Sequence, residues 1–329
     1  MGKIDLVVTW VDGTDPAWQD SCRKIAGDVE LPKHLYRDWG WMQYWFRGVE
    51  KNLPWIDHIF FVTWGHLPPW LNPSHPKIRI IRHEDFIPQE YLPTFSSHTI
   101  EWNLHRIEDL SEQFILCNDD MFFLGPIGES DYFQNGLPCD ILHICPVTES
   151  RAITFNHLLL NNMVCLNRHF DLQSCALAYP DLWFSEVYGE AVRRDNKSAL
   201  RWTRFPGLYY DHMPVPLLKS TIEKLWQLEG PFLDQICHRR FRDFYRDINV
   251  FLVKFWNLAE GRFVPYNRPH GKYCLVSAPD TQLAQTLNGG DSLVCLNEAG
   301  HDMDFPAKRK YILAQLELLF PEPSSFERS

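Results

Sequence analysis

Over its first 150 residues the chain alternates short apolar runs with segments of helical period, and this alternation narrows the fold more than any other feature. The runs Ile4 to Thr9, Ile59 to Trp64, Ile78 to Arg82, Phe114 to Asn118 and Ile141 to Cys145 read as buried strands. A helix is predicted from about Asp38 to Lys51, ended by Asn52-Leu53-Pro54, and another from Ser97 as N-cap with Glu101 in its first turn. On the latter Ile100, Leu104 and Ile107 share one face, which places His98, Glu101 and His105 on another. Such alternation predicts an α/β fold with a mainly parallel sheet flanked by helices.

The second half reads as more helical, with candidate helices near Ala152 to Leu166, Leu217 to Leu228, Asp247 to Leu258 and Ala307 to Leu319. Strand-like pieces return at Tyr273 to Val276 and Ser292 to Leu296, and the proline-rich stretch Phe205 to Pro216 excludes a helix. Without internal repeats or a low-complexity linker, the expectation is one composite domain over 1–329, an α/β half (1–150) completed by a mainly helical half (151–329).

A net charge of −10 argues against a nucleic-acid binder driven by phosphate neutralisation, so an anionic substrate has to be met locally. Arg239, Arg240, Arg242 and Arg246 form the densest basic cluster; Arg193, Arg194, Arg201 and Arg204 read as a solvated helix face. Nine cysteines without a Cys-x-x-Cys pair fit a reduced intracellular protein. With no signal-like apolar segment and no run of about 18 apolar residues, a cytoplasmic chain is expected, with peripheral membrane contact left open. Thirteen tryptophans serve either as sugar platforms or as packing.

The run Phe114 to Asn118 ends in Asp119-Asp120 at the edge where open α/β folds place ligands. On an extended strand the two carboxylates point to opposite faces, one toward a divalent cation and the other toward a loop; a plain turn cap is the competing reading. The stretch from Thr9 through Trp10, Val11, Asp12 and Gly13 to Pro16 turns at the corresponding edge of the first strand. It either offers amides and a carboxylate to a nucleotide or merely turns the chain.

Taken in order, Ile4 to Gly13, Leu92 to Glu101, His105 to Ser111, Asn118-Asp119-Asp120, His212-Met213-Pro214 and Val294 to Asn297 resemble the four regions of the Stealth family. That family comprises bacterial capsular polysaccharide phosphotransferases and the catalytic part of the eukaryotic N-acetylglucosamine-1-phosphotransferase. The resemblance runs from Ile4 to the Phe320 to Glu327 tail. It implies a Rossmann-like, GT-A-like nucleotide-sugar transferase sheet with helical additions. It also implies transfer of a hexose 1-phosphate, for example N-acetylglucosamine 1-phosphate, from a UDP-sugar donor to a glycan or polysaccharide acceptor, with release of UMP.

Carried onto this chain, the family's motifs fall on Asp12-Gly13, Glu101, Asn118-Asp119-Asp120, His212, Pro214 and Arg242, with Arg240 one slip away. From their chemistry the expected roles are His212 as general base, since imidazole titrates near neutral pH, Asp119 and Asp120 as ligands of Mg²⁺ or Mn²⁺, Glu101 as an acidic orienting group and Arg242 as a phosphoryl clamp. Thr9, Asp12, Gly13, Asn118, Asn297 and His98 are the expected substrate contacts, although His98 and His105 also read as structural. One departure stands out: the fourth region has Glu298-Ala299 where relatives usually carry an aspartate, so that His301, Asp302 and Asp304 become candidates for a compensating ligand or simply a polar loop. An ordinary metal-dependent glycosyltransferase releasing UDP and a non-catalytic carbohydrate-binding relative are the competing readings.

Overall fold

A computed structural model describes residues 2–27, 32–150, 153–267, 271–300 and 302–328. Its strands are β1 (Ile4–Trp10), β2 (Ile59–Thr63), β3 (Ile78–Arg82), β4 (Gln113–Asn118), β5 (Met121–Phe123), β6 (Phe133–Gln134), β7 (Leu137–Asp140), β8 (Val215–Leu218), β9 (Val264–Pro265), β10 (Lys272–Leu275) and β11 (Leu293–Asn297). The main sheet has the order β3-β2-β1-β4-β8, parallel except for β8, which runs antiparallel to β4.

Its centre is apolar on both faces because the strand residues split by parity between two cores. Val7, Phe60, Val62, Phe114 and Leu116 join one, with Ile100 and Trp102 of the Ser97–Asn103 helix and the apolar side of the Phe251–Ala259 helix. Leu6, Val8, Phe61, Ile115 and Cys117 join the other, beneath the Met42–Asn52 and Phe305–Leu319 helices. A mixed α/β architecture with several sheets and helical regions is therefore what the alternating pattern encodes. A second sheet, β10-β11-β5, is fed directly from β4 across the two-residue turn Asp119-Asp120.

Four of the five strands expected in the first half are present. Ile141 to Cys145 is not a strand: β7 stops at Asp140, and the following segment bonds to the proline-rich stretch instead, with Tyr209 N–H on His143 O (2.9 Å) and Val147 N–H on Pro206 O (3.0 Å). Gly207 is required there, since a Cβ at its positive φ would lie 2.1 Å from Cys145 O. The end of the proline-rich stretch is itself strand β8, whose Pro216 is tolerated because β8 is an edge strand. The helix expected from Ala152 begins outside the described residues and is found as Phe155–His169. The helix expected to end at Leu228 continues to Cys237 through a kink at Glu229, two residues before Pro231.

All nine cysteines are free thiols, and among the described residues no helix is long and apolar enough to cross a membrane. Tryptophans mostly pack: Trp45, Trp102, Trp183 and Trp256 are completely enclosed.

The C-terminal tail closes the fold through a part-buried ion pair. Arg47 reaches Glu327 with Nε on Oε1 (2.8 Å) and NH2 on Oε2 (2.9 Å), while its NH1 donates to Phe320 O (2.7 Å). Burial raises the Glu327 carboxyl, but Arg47 and the Ser324 amide outweigh it and hold it below its ordinary value. The clamp therefore stabilises the fold above the unfolded carboxylate pKa of about 4.3 and is lost as pH falls through the lower folded value. Arg47→Met leaves the part-buried Glu327 without its cation, held only by the Ser324 amide and hydroxyl, with an expected loss of about 1–3 kcal/mol in urea unfolding at pH 7. The double variant Arg47→Met/Glu327→Leu recovers most of it; equal loss in both variants would show that the pairing itself contributes little.

Candidate active site

The order of the main sheet reverses at β1: the chain moves outward through β2 and β3, then returns to place β4 on the other side of β1. At such a reversal the loops leaving two neighbouring parallel strands diverge and open a crevice at their carboxyl ends. Here the crevice is a cavity of about 270 Å³ lined by Thr9, Trp10 and Val11 from the end of β1 and by Asn118, Asp119 and Asp120 from the end of β4. Glu101, His212, Arg242, Leu296, Asn297 and Glu298 complete the wall from both halves of the chain.

Asp120 is the most connected of these groups. Its Oδ2 accepts from Asn297 Nδ2 (3.1 Å) and Cys295 Sγ (3.5 Å), and His212 Nε2 stands 3.6 Å away as an ion-pair partner. Burial pushes the Asp120 carboxyl up, but His212, Asn297 and Cys295 outweigh it and hold it below its ordinary value. For His212 burial works against the charged ring, yet the attraction of Asp120, Asp211 and Glu101 leaves its pKa above the usual 6.5. Asp119 receives no such compensation. Burial first, then repulsion by Asp120 and Asp38, raises its carboxyl well above the ordinary range.

Asp120, His212 and Cys295 bring ligand atoms within 4.8 Å of one another, a group able to hold a divalent metal. Cys295 contributes as a donor to Asp120 more than as a ligand, because burial and the charge of Asp120 keep its thiol protonated. Asp119 and Asp120 form a turn between two strands and do not lie on one strand, so the expected alternation to opposite faces does not apply. Both line the same cavity.

Four expected site residues lie outside the cavity lining. His98 is buried, with Nδ1 2.8 Å from Asp247 Oδ2, and Asp247 in turn receives Arg239 NH1 at 2.5 Å; this pins the Ser97–Asn103 helix to the loop before the Phe251–Ala259 helix. Asp12 folds its own turn, its Oδ1 accepting from Thr14 N and Oγ1 (2.8 and 2.6 Å). Gly13 donates its N–H to Tyr36 O (2.8 Å), and any Cβ there would lie 2.2 Å from that oxygen. Arg240 donates to Glu90 O (3.1 Å), leaving Arg242 as the arginine of the cluster that reaches the cavity. His105 bonds Trp102 O (3.1 Å) as a structural histidine. Asp304 accepts from Ala307 N (3.1 Å) as the cap of the last helix, and His301 lies outside the described residues.

The sequence reading missed the segment around Lys33–Tyr36 and the residues that follow, which supplies His34, Tyr36, Arg37, Trp39 and Trp41 to the wall. Its signal was a short stretch dense in His, Arg, Asp and Trp between two helices. Arg37 NH1 meets Glu298 Oε1 at 2.5 Å and Trp39 Nε1 donates to Glu298 Oε2 (2.9 Å), so Glu298 serves as the anchor of this segment. His83, also in the wall, is held neutral, its pKa pushed down to about 3 by burial and by His66.

Fold and cavity together define a mixed α/β enzyme whose charged site lies where the sheet order reverses. Residues 2–28 match Stealth protein CR1, conserved region 1, and residues 35–139 match Stealth protein CR2, conserved region 2. The chain is 38% identical to a capsular polysaccharide phosphotransferase WcwK of Streptococcus pneumoniae, with all of both chains covered. It is 33% identical to receptor polysaccharide phosphotransferase WefC of Streptococcus oralis (99% of this chain, 100% of the relative). It is also 31% identical to exopolysaccharide phosphotransferase cps2G of Lactiplantibacillus plantarum (99% and 96%). The chain belongs to the Stealth family and is a phosphotransferase.

The strained carboxyl of Asp119 yields a stability test. Its raised folded pKa means that the folded state holds the proton more tightly than the unfolded one, so stability falls as pH rises from about 4 through the folded value. Asp119→Asn removes that loss, and in excess chelator at pH 7 it is expected to raise unfolding stability by about 0.5–2 kcal/mol. A destabilised variant would show that the Asp119 charge is compensated in the free enzyme.

Proposed function

We propose that this enzyme moves a hexose 1-phosphate, for example N-acetylglucosamine 1-phosphate, from a UDP-sugar to a glycan hydroxyl, forming a phosphodiester and releasing UMP, in the synthesis of a capsular or surface polysaccharide. The observation that carries this reading is the convergence of Asp119, Asp120, His212, Glu101 and Arg242 on one cavity at the β1/β4 reversal. The parallel sheet acts as the nucleotide-sugar platform of a Rossmann-like, GT-A-like fold, and the two halves of the chain work as one composite catalytic domain. The acceptor is a growing glycan, met by a cytoplasmic enzyme at the inner face of the membrane.

The residues fit a divalent cation such as Mg²⁺ or Mn²⁺. Asp120 Oδ1 is buried with no hydrogen-bond partner and Asp119 carries a carboxyl that burial and Asp120 make costly to ionise, so the two aspartates offer hard oxygen donors of the kind such a cation takes. A bound cation would supply countercharge for the diphosphate and for the departing UMP.

The chain's own groups do the rest. His212 takes the proton of the acceptor hydroxyl, and Asp120, whose Oδ2 lies 3.6 Å from the ring's Nε2, stabilises the imidazolium that forms. Arg242 meets a phosphoryl oxygen through its planar fork. Glu101 is held partly toward its neutral form by burial, against the attraction of His98 and Arg242, and it orients the sugar or braces Arg242. Thr9, Asn118 and Asn297 line the floor as hydrogen-bonding groups for the donor.

The decisive experiment incubates the enzyme with Mg²⁺, a panel of UDP-sugars and glycan acceptors, and scores the nucleotide released. UMP is expected, whereas UDP would assign ordinary glycosyl transfer and no release from any donor would leave a binding protein. His212→Ala is expected to lower turnover about 10²- to 10⁴-fold with the fold retained. Because its pKa is raised, the free base forms later than for an ordinary histidine. The acid limb of kcat/KM is therefore expected above pH 6.5, with the rate rising as pH increases through it. An acid limb unchanged in His212→Gln would assign the titration to another group.

A further inference from the structure

A second cavity, of about 210 Å³, lies outside the active-site cavity and shares no lining residue with it. Its wall includes Cys145, Thr148, Asn156, Leu159, Leu208 and Tyr210. Of the nine cysteines Cys145 alone is not fully buried. Its Sγ lies 3.3 Å from His143 Nδ1, and His143 Nε2 lies 3.1 Å from Asp195 Oδ2. The imidazole is further held by stacking on Tyr209, with ring centroids 6.1 Å apart. Thiol, base and orienting carboxylate thus stand in line beside a hollow, in the arrangement by which a weak nucleophile is activated.

The surroundings select the chemistry. Attack on an acyl carbon needs donors for the oxyanion, but the amides of Cys145 and Val147 are already bonded to Gly207 O (3.3 Å) and Pro206 O (3.0 Å). Attack on a disulfide needs none, because the negative charge leaves on sulfur. Burial and the charge of Asp195 push the Cys145 thiol up to about 11, so at neutral pH the proton must be taken by a base during the step.

We propose that Cys145, His143 and Asp195 form a thiol-exchange site whose cavity takes a small disulfide, making Cys145 a specific position of mixed-disulfide modification. His143 Nδ1 accepts the Sγ proton, Sγ attacks one sulfur of the disulfide, the new S–S bond forms as the old one breaks, and the departing thiolate takes the proton from His143. The small disulfide is the oxidant and is reduced to its thiol, so no further redox partner enters. The modified segment is the one bonded to residues 206–209, which lead into His212.

The test treats the folded enzyme with 2-hydroxyethyl disulfide at pH 7.5 and follows each cysteine by peptide mass spectrometry. Cys145 is expected to be modified before the other eight, and His143→Gln, checked for fold by circular dichroism, to slow it about tenfold or more. Asp195→Asn, at a half-exposed position where folding is not at stake, is expected to slow it several-fold. Earlier modification of another cysteine, or a Cys145 rate unchanged in folded His143→Gln, overturns the proposal. If His143→Gln does not fold, an unchanged rate in Asp195→Asn overturns it equally.

Discussion

The passage of the chain from β4 to β5 in two residues is the constraint on which the site depends. β4 belongs to the main sheet and β5 to the second, and Asp119 and Asp120 are the two residues that join these strands. Backbone bonds tie the turn to the second sheet, with Leu296 N–H on Asp120 O (2.8 Å). Side-chain bonds tie it to Asn297 and Cys295 of β11. A carboxylate pair that reads as either turn or ligand site is a turn whose carboxylates line the cavity. The turn forces the two charges into a half-enclosed crevice, and their proximity makes Asp119 costly to ionise. Such strain is the usual condition of a group that waits for a counter-ion or substrate.

The electrostatics of the cavity follow from that asymmetry. His212 compensates Asp120 in the free enzyme, Arg37 compensates Glu298, and Arg242 and His98 partly compensate Glu101. Asp119 is left over. The overall charge of −10 makes this local arrangement necessary, since the protein's field alone repels a nucleotide diphosphate. Arg242 is the cavity-lining member of the Arg239–Arg246 cluster, and it brings positive charge to the wall that also carries the two aspartates.

Much of the framework was legible because parallel strands buried on both faces have a distinctive pattern: Leu6, Val7 and Val8 are all enclosed although they point to alternate sides. Ile141 to Cys145 carries the same apolar signal but not the pairing, because its partner is the proline-rich segment rather than a sheet. Asp12, Gly13 and His98 were legible as special residues, and the structure assigns their special character to a turn, a backbone contact with Tyr36 and a buried pair with Asp247. Residue type announces that a polar group must be satisfied; only tertiary placement says by what. The His34 to Trp41 wall was missed for the same reason, since nothing local ties it to Glu298, more than 250 residues later.

That long-range tie also explains the departure in the fourth region. Glu298 follows Asn297, the residue that holds Asp120, so its backbone position is set by the second sheet. From there its carboxylate spans to both Arg37 and Trp39 Nε1. An aspartate, one methylene shorter, would have to pull the Arg37–Trp39 segment inward or give up one of the two bonds. Trp39 stacks on Trp41 with ring centroids 5.0 Å apart and planes within 9°. At the other end of the segment Tyr36 O is held by Gly13 of the loop after β1, which has no room there for a Cβ. With the segment held at both ends, the extra methylene of glutamate fits the width of the crevice. Glu298 thereby positions a wall of the cavity, while the carboxylates of the turn line the same cavity from the end of β4.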